Sequence, residues 1–175
     1  MKDATKYSFF SGGHKGSEAE FGRQAEKYGV KQTTFSFEGH NMEFDKGVAV
    51  LSPEELHKGE VSMEIISARM GRKYTRADKI RVVIQSIFYI INNGFQVFAI
   101  GWIQDDNTVK GGTGWGVELA KLFNRPISVF DQDKNQWYSW VENSWEESTP
   151  VIESNTFSGT GTRNLSEEGR KAIEE

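Results

Sequence analysis

The sequence has no cysteine, which excludes a disulfide framework, thiolate metal sites and a cysteine nucleophile at once. It has only three prolines and three histidines, and no H-x-H or H-E-x-x-H spacing that would announce a protein-bound metal. A G-x-S-x-G nucleophile elbow is also missing, which disfavours serine-hydrolase chemistry. No apolar run approaches the ~20 residues that a membrane span needs, and Met1–Lys6 lacks the apolar core of a secretion signal. Neither sign of charge is in large excess. The 21 Lys and Arg against 25 Asp and Glu leave −4, too little to draw the whole chain to nucleic acid or anionic lipid. What is present is a chain of 175 residues, 37% hydrophobic, long enough for one domain with its own core. The expectation is a cytoplasmic single domain over residues 1–175 that binds neither membrane nor nucleic acid.

The hydrophobic pattern alternates between strand and helix. Tyr7-Ser8-Phe9-Phe10 reads as a buried strand, followed by the glycine loop Ser11–Gly16 and a helix from Ser17. Ser17 and Glu20 have capping-box spacing, Phe21, Ala25 and Tyr28 form an apolar face, and Gly29 suits the helix end. A second strand is expected over Thr33–Phe37, and Ser52-Pro53-Glu54-Glu55 is a strong helix start. Residues 61–70 lean helical, and Ile80, Val83, Ile84, Ile87, Phe88 and Ile91 define the clearest helix, over 77–92. Gln96–Ile100 and Ile127–Phe130 read as buried strands, with a glycine loop and a helix between them. Trp137–Glu146 predicts a hairpin turning at Glu142-Asn143. Ser158–Arg163 reads as a third glycine loop before a short helix capped by Ser166. This order predicts an α/β fold: a three-layer sandwich on a mostly parallel sheet, with a C-terminal hairpin and short helix.

Two of the glycine loops lie between a strand and a helix N-terminus, where free backbone N–H groups and the positive dipole end converge on an anion. Neither matches the ATP-binding P-loop or the G-x-G-x-x-G dinucleotide fingerprint. Residues 69–81 add six basic residues against one acidic, namely Arg69, Arg72, Lys73, Arg76, Lys79 and Arg81 against Asp78. Such a cluster can meet phosphate, although it would serve equally as a solvated face. A tight turn accounts for Ser11–Gly16 without a ligand. Glu118, in the first turns of a helix, is favoured there by the dipole alone. His14 lies within a glycine loop and could meet ligand, whereas His40 and His57 read as surface residues. The aromatics at 137–145 suit a hairpin packed on the core or an oligomer interface.

The run Gly111-Gly112-Thr113-Gly114-Trp115-Gly116-Val117-Glu118 resembles the G-G-x-G-T-x-x-E signature of the SLOG superfamily. That Rossmann-like group includes the Lonely Guy nucleoside-monophosphate phosphoribohydrolases. Trp115 stands where the signature has threonine. Ser11-Gly12-Gly13 with Gly16 and Glu18 resembles the S-G-G-x-x-G-x-D/E start of the YpsA-like branch, whose circularly permuted form is described as molybdenum-cofactor-carrier-like. The resemblance covers most of residues 7–131, and 132–175 stand outside it as a hairpin and glycine-loop extension. It implies binding of a nucleotide or nucleotide-derived ligand, including a molybdopterin-type one, with no further cofactor required. Carried over, Gly111, Gly112, Thr113 and Gly114 would hold phosphate and Glu118 would be the catalytic carboxylate for N-glycosidic cleavage. Trp115 would suit stacking on a base. Ser11, Gly12, Gly13, His14 and Lys15 would line the ligand, with an upstream arginine, Arg69, Arg72 or Arg76. Outside the resemblance, the glycines, threonines and Arg163 of Ser158–Arg163 could complete a phosphate site. The alternative is a carrier, sensor or sponge that holds the ligand without cleaving it. Relatives of this kind commonly assemble, so a homo-oligomer is expected.

Overall fold

The computed structural model describes residues 3–74 and 78–175; Arg76 and the expected helix start at Ala77 lie outside that range. After a 3-10 turn at Ala4–Lys6, the elements are β1 (Ser8–Ser11), α1 (Ser17–Lys27), β2 (Lys31–Ser36), β3 (Val48–Val50), α2 (Pro53–Lys58), α3 (Glu60–Met70) and α4 (Asp78–Asn93). They continue as β4 (Gln96–Gly101), α5 (Thr113–Leu122), β5 (Ile127–Asp131), β6 (Gln136–Val141), β7 (Ser144–Glu147), β8 (Thr156–Gly161) and α6 (Glu167–Glu174). The strands form one sheet in the order β3-β2-β1-β8-β4-β5-β6-β7. β3, β2, β1, β8, β4 and β5 run parallel, and the β6–β7 hairpin adds antiparallel strands at one edge.

Strand alternation builds the three layers. In β4, Val97 and Ala99 face the side covered by α3, α4 and α5, where they join Met63, Ile66, Ile84, Ile87, Ile90, Ile91, Val117 and Leu119. Phe98 faces the other side, with Phe9 of β1, Phe157 of β8 and Ala25 of α1, packed against Phe21 and Trp137. α1 and α6 lie together over that second face. The α/β sandwich expected from the sequence is therefore the observed architecture.

Two local expectations are corrected. Ser17 is the first residue of α1, not its cap: Gly16 holds the N-cap position, and the Ser17 hydroxyl donates to the Thr162 carbonyl at 2.7 Å. Glu20 then faces Arg23, Gln24 and Arg170 instead of the helix start. The larger correction concerns Ser158–Arg163. Most of that segment is β8, inserted between β1 and β4 at the centre of the sheet. Its small residues are needed because both faces are crowded. A Cβ on Gly159 would stand 2.6 Å from the Phe21 ring, and Ser158 donates to the Ile90 carbonyl at 2.6 Å.

At α2 the Ser52 hydroxyl accepts from Glu55 N–H and Glu55 accepts from Ser52 N–H, a complete capping box. Ser52→Ala is expected to lower stability by about 1 kcal/mol, read as a shifted urea midpoint with unchanged slope.

Candidate functional site

The parallel strands end together at one edge of the sheet, and three connections meet there: β1–α1, β4–α5 and β8–α6. In open α/β sheets ligands bind at this carboxyl edge where strand order reverses. The β1–α1 loop is pinned from below, since buried Ser11 donates to the Gly159 carbonyl at 2.7 Å. Gly13 has φ +69°, and a Cβ there would lie 2.2 Å from the Phe44 carbonyl oxygen. Glycine is therefore required by backbone angle and by close approach together. Gly13 accepts from the Glu43 and Phe44 amides, which joins this loop to the segment after β2.

The loop's own amides are turned onto a carboxylate of the chain. Glu18, in the first turn of α1 and 5% exposed, accepts from His14 N–H at 3.2 Å and from the Thr160 hydroxyl at 3.0 Å. Burial pushes its carboxyl up to about 7, although the His14 amide, Thr160, the Arg163 charge and the Gly12 amide all pull downward. Desolvation is the dominant effect.

Beside this carboxyl stand two histidines. His40 Nε2 lies 3.1 Å from His14 Nε2, and His40 Nδ1 lies 3.0 Å from the Ser36 hydroxyl. Burial lowers His14 to about 4, with the Arg163 charge acting in the same direction. Burial, then His14, then Arg163 lower His40 to about 4. Both rings are therefore neutral at pH 7, so one Nε2 can donate to the other. His40 is half-buried in this pair, unlike the surface residue expected, while His57 is exposed and contacts Glu60. Arg163 and Lys15 are exposed beside the cluster. Among the described residues no group of three or more His, Asp or Glu side chains converges as a metal site.

The β4–α5 connection is different in character. Gly111 and Gly112 face open space at the start of α5, while Thr113, Gly114 and Trp115 are buried. Trp115 is a core residue, its ring 5.9 Å from that of Tyr74. Arg72 is committed to the same loop: it donates to the Gly111 and Val109 carbonyls, Gln104 and Thr108, at 2.8–3.2 Å. Arg69 is exposed on α3. Glu118 is 6% exposed and is held at 2.6 Å by Lys121, itself buried beneath Trp140 at 3.8 Å and Trp145 at 5.0 Å. The hairpin thus roofs this ion pair, and Trp145 and Lys121 both donate to the Asn107 carbonyl.

Ser11, Gly12, Gly13, His14 and Arg163 are thus brought together, whereas Glu118, Trp115 and Arg72 sit in a separate packed and hydrogen-bonded unit. Glu18, Thr160 and His40 complete the first group. The sequence signal for Glu18 was its place in the first glycine motif and that for Thr160 its place in the third glycine loop, though not as a partner of Glu18. His40 had none, because these pairings depend on strand order. Comparisons of the chain with protein-family models, with curated proteins and with solved structures returned no match.

Proposed function

We propose that this chain binds a nucleotide-derived ligand at the carboxyl edge of the sheet and hydrolyses its N-glycosidic bond, with Glu18 as the carboxylate. The observation that carries the reading is the buried, glycine-cradled Glu18 beside a neutral histidine pair and the exposed Arg163. Arg163, Lys15 and the open amides at Gly111-Gly112 supply the phosphate contacts. Loss of the base leaves oxocarbenium character on the ribose, which a desolvated carboxylate stabilises. Water adds to C1′ as the C1′–N bond breaks. Its proton passes to Glu18 and from there to the departing base nitrogen. A carboxyl near 7 is matched to that exchange at neutral pH.

The second reading is a non-catalytic carrier or sponge for a nucleotide signal or a molybdopterin-type ligand. It is favoured by the burial of Glu18, whose carboxylate is already bonded to the His14 amide and the Thr160 hydroxyl and so serves to hold the loop rather than to react. In either case we propose that the protein acts in the cytoplasm as a homo-oligomer, an assembly that sedimentation would check. Among the described residues no helix is long and apolar enough to cross a membrane.

The experiment is mass spectrometry of a panel of nucleotides, NAD, cyclic nucleotides and molybdopterin after incubation with the protein. Free base with ribose phosphate from the wild type, lost in Glu18→Gln but with binding kept, is the expected result. One compound retained intact by both proteins would establish the carrier. Arg163→Glu should weaken retention at least tenfold, and a panel from which nothing is bound or cleaved would end both readings.

A further inference from the structure

A cavity of about 480 Å3 lies on the other side of the sheet from Glu118, between α1, α6 and the segment 149–152. Its floor is the sheet face itself. Phe9, Phe98 and Phe157 line it from adjacent strands, Trp137 from β6, and Phe21 from α1. These rings already pack edge-on or tilted: Phe9 and Phe157 have centroids 5.3 Å apart, and Phe98 stands at 85° to Trp137 and 86° to Phe157. The volume falls within the range of small-molecule sites, roughly 300–1,000 Å3, which are lined mainly by apolar and aromatic groups. Native side chains close gaps down to about the size of a water molecule, and here they leave one many times larger.

The lining also defines what fits. Among the described residues no lysine or arginine lines the cavity, and its charged lining residues, Glu174 and Glu175, are exposed. An anion therefore finds no partner and meets carboxylates instead. A planar apolar molecule can adopt the offset and edge-to-face arrangements that these rings already make with one another. We infer that this cavity is a binding site for an uncharged, largely aromatic small molecule, separate from the carboxyl-edge site and independent of what that site does.

N-phenyl-1-naphthylamine, neutral, planar and fluorescent in apolar surroundings, is a suitable probe for the whole chain. The expected result is saturable 1:1 binding with a dissociation constant below about 10 μM, at least tenfold tighter than for the anionic 1-anilinonaphthalene-8-sulfonate. Ala172→Trp from α6 and Ala25→Leu from α1 would fill the space from opposite walls. Each is expected to raise the dissociation constant tenfold or more while the far-ultraviolet circular dichroism stays as in the wild type. No saturable wild-type binding by about 100 μM would overturn the inference. So would equal affinity for the two probes, or unchanged binding in folded variants. Binding that weakens as protein concentration rises would assign the cavity to a second copy of the chain, and would overturn it equally.

Discussion

Glu18→Gln is expected to make the protein more stable at pH 8 and to leave its stability at pH 4.5 nearly unchanged. The fold raises the Glu18 carboxyl from 4.5 to about 7. Below 4.5 the group is protonated whether folded or not and carries no penalty. As pH rises toward 7 the unfolded chain ionises first, so native stability falls, and above 7 the full cost is present. Each pK unit corresponds to about 1.4 kcal/mol, so the variant should gain up to about 3 kcal/mol at pH 8. Glutamine keeps an oxygen to accept the His14 amide, which makes the exchange nearly isosteric. The histidines act in the opposite direction. Their values are lowered from 6.5 to about 4, so the stability gained from holding them neutral is intact above 6.5 and is lost as pH falls toward 4. Urea unfolding across this range should show the variant losing the alkaline decline while keeping the acid one. Parallel pH profiles for the two proteins would refute the assignment. A gain in stability with a loss of base release would mark Glu18 as a strained functional group.

The sequence made the sheet and its layers readable because buried strands and amphipathic helices carry periods of two and 3.6. Gln96–Gly101 is a continuous buried strand as its apolar run implied, and Glu142 and Asn143 form the hairpin turn with positive φ, 46° and 66°. Thr156–Gly161 was not readable. Its composition is that of a loop, and small residues are demanded there by Phe21 and Ile90, which only the tertiary arrangement brings close. The same cause obscured the site. A glycine loop, a helix and an early glutamate occur twice in the chain, at Glu18 and at Glu118. Motif spacing favoured the second. The two are equally buried, and their partners distinguish them, since Glu118 is paired with Lys121 whereas Glu18 is held by the His14 amide and the Thr160 hydroxyl. Trp115 illustrates the point: its sequence neighbours are glycines, but its spatial neighbour is the Tyr74 ring in the core.

Glu118→Leu should therefore do the reverse of Glu18→Gln. The Glu118 carboxylate lies 2.6 Å from Lys121, whose side chain is 6% exposed under two tryptophans. Burial holds the Lys121 amine below its ordinary value, and Glu118 is the chief group opposing that shift. Removing one partner of a buried pair leaves an uncompensated charge, at a cost of about 3–5 kcal/mol. Leucine retains apolar volume, so the loss is electrostatic in the main. It should shrink as pH rises toward 10, where an unpaired Lys121 sheds its proton in the native state at less cost. Equilibrium unfolding at pH 7 and pH 9.5 reads both quantities. The Glu118–Lys121 pair ties α5 to the hairpin and to Asn107, so any fall in activity should track the unfolded fraction and recover when a bound ligand restores stability. Activity abolished in fully folded Glu118→Leu would instead return the chemistry to Glu118, and Glu18 would then be a loop anchor.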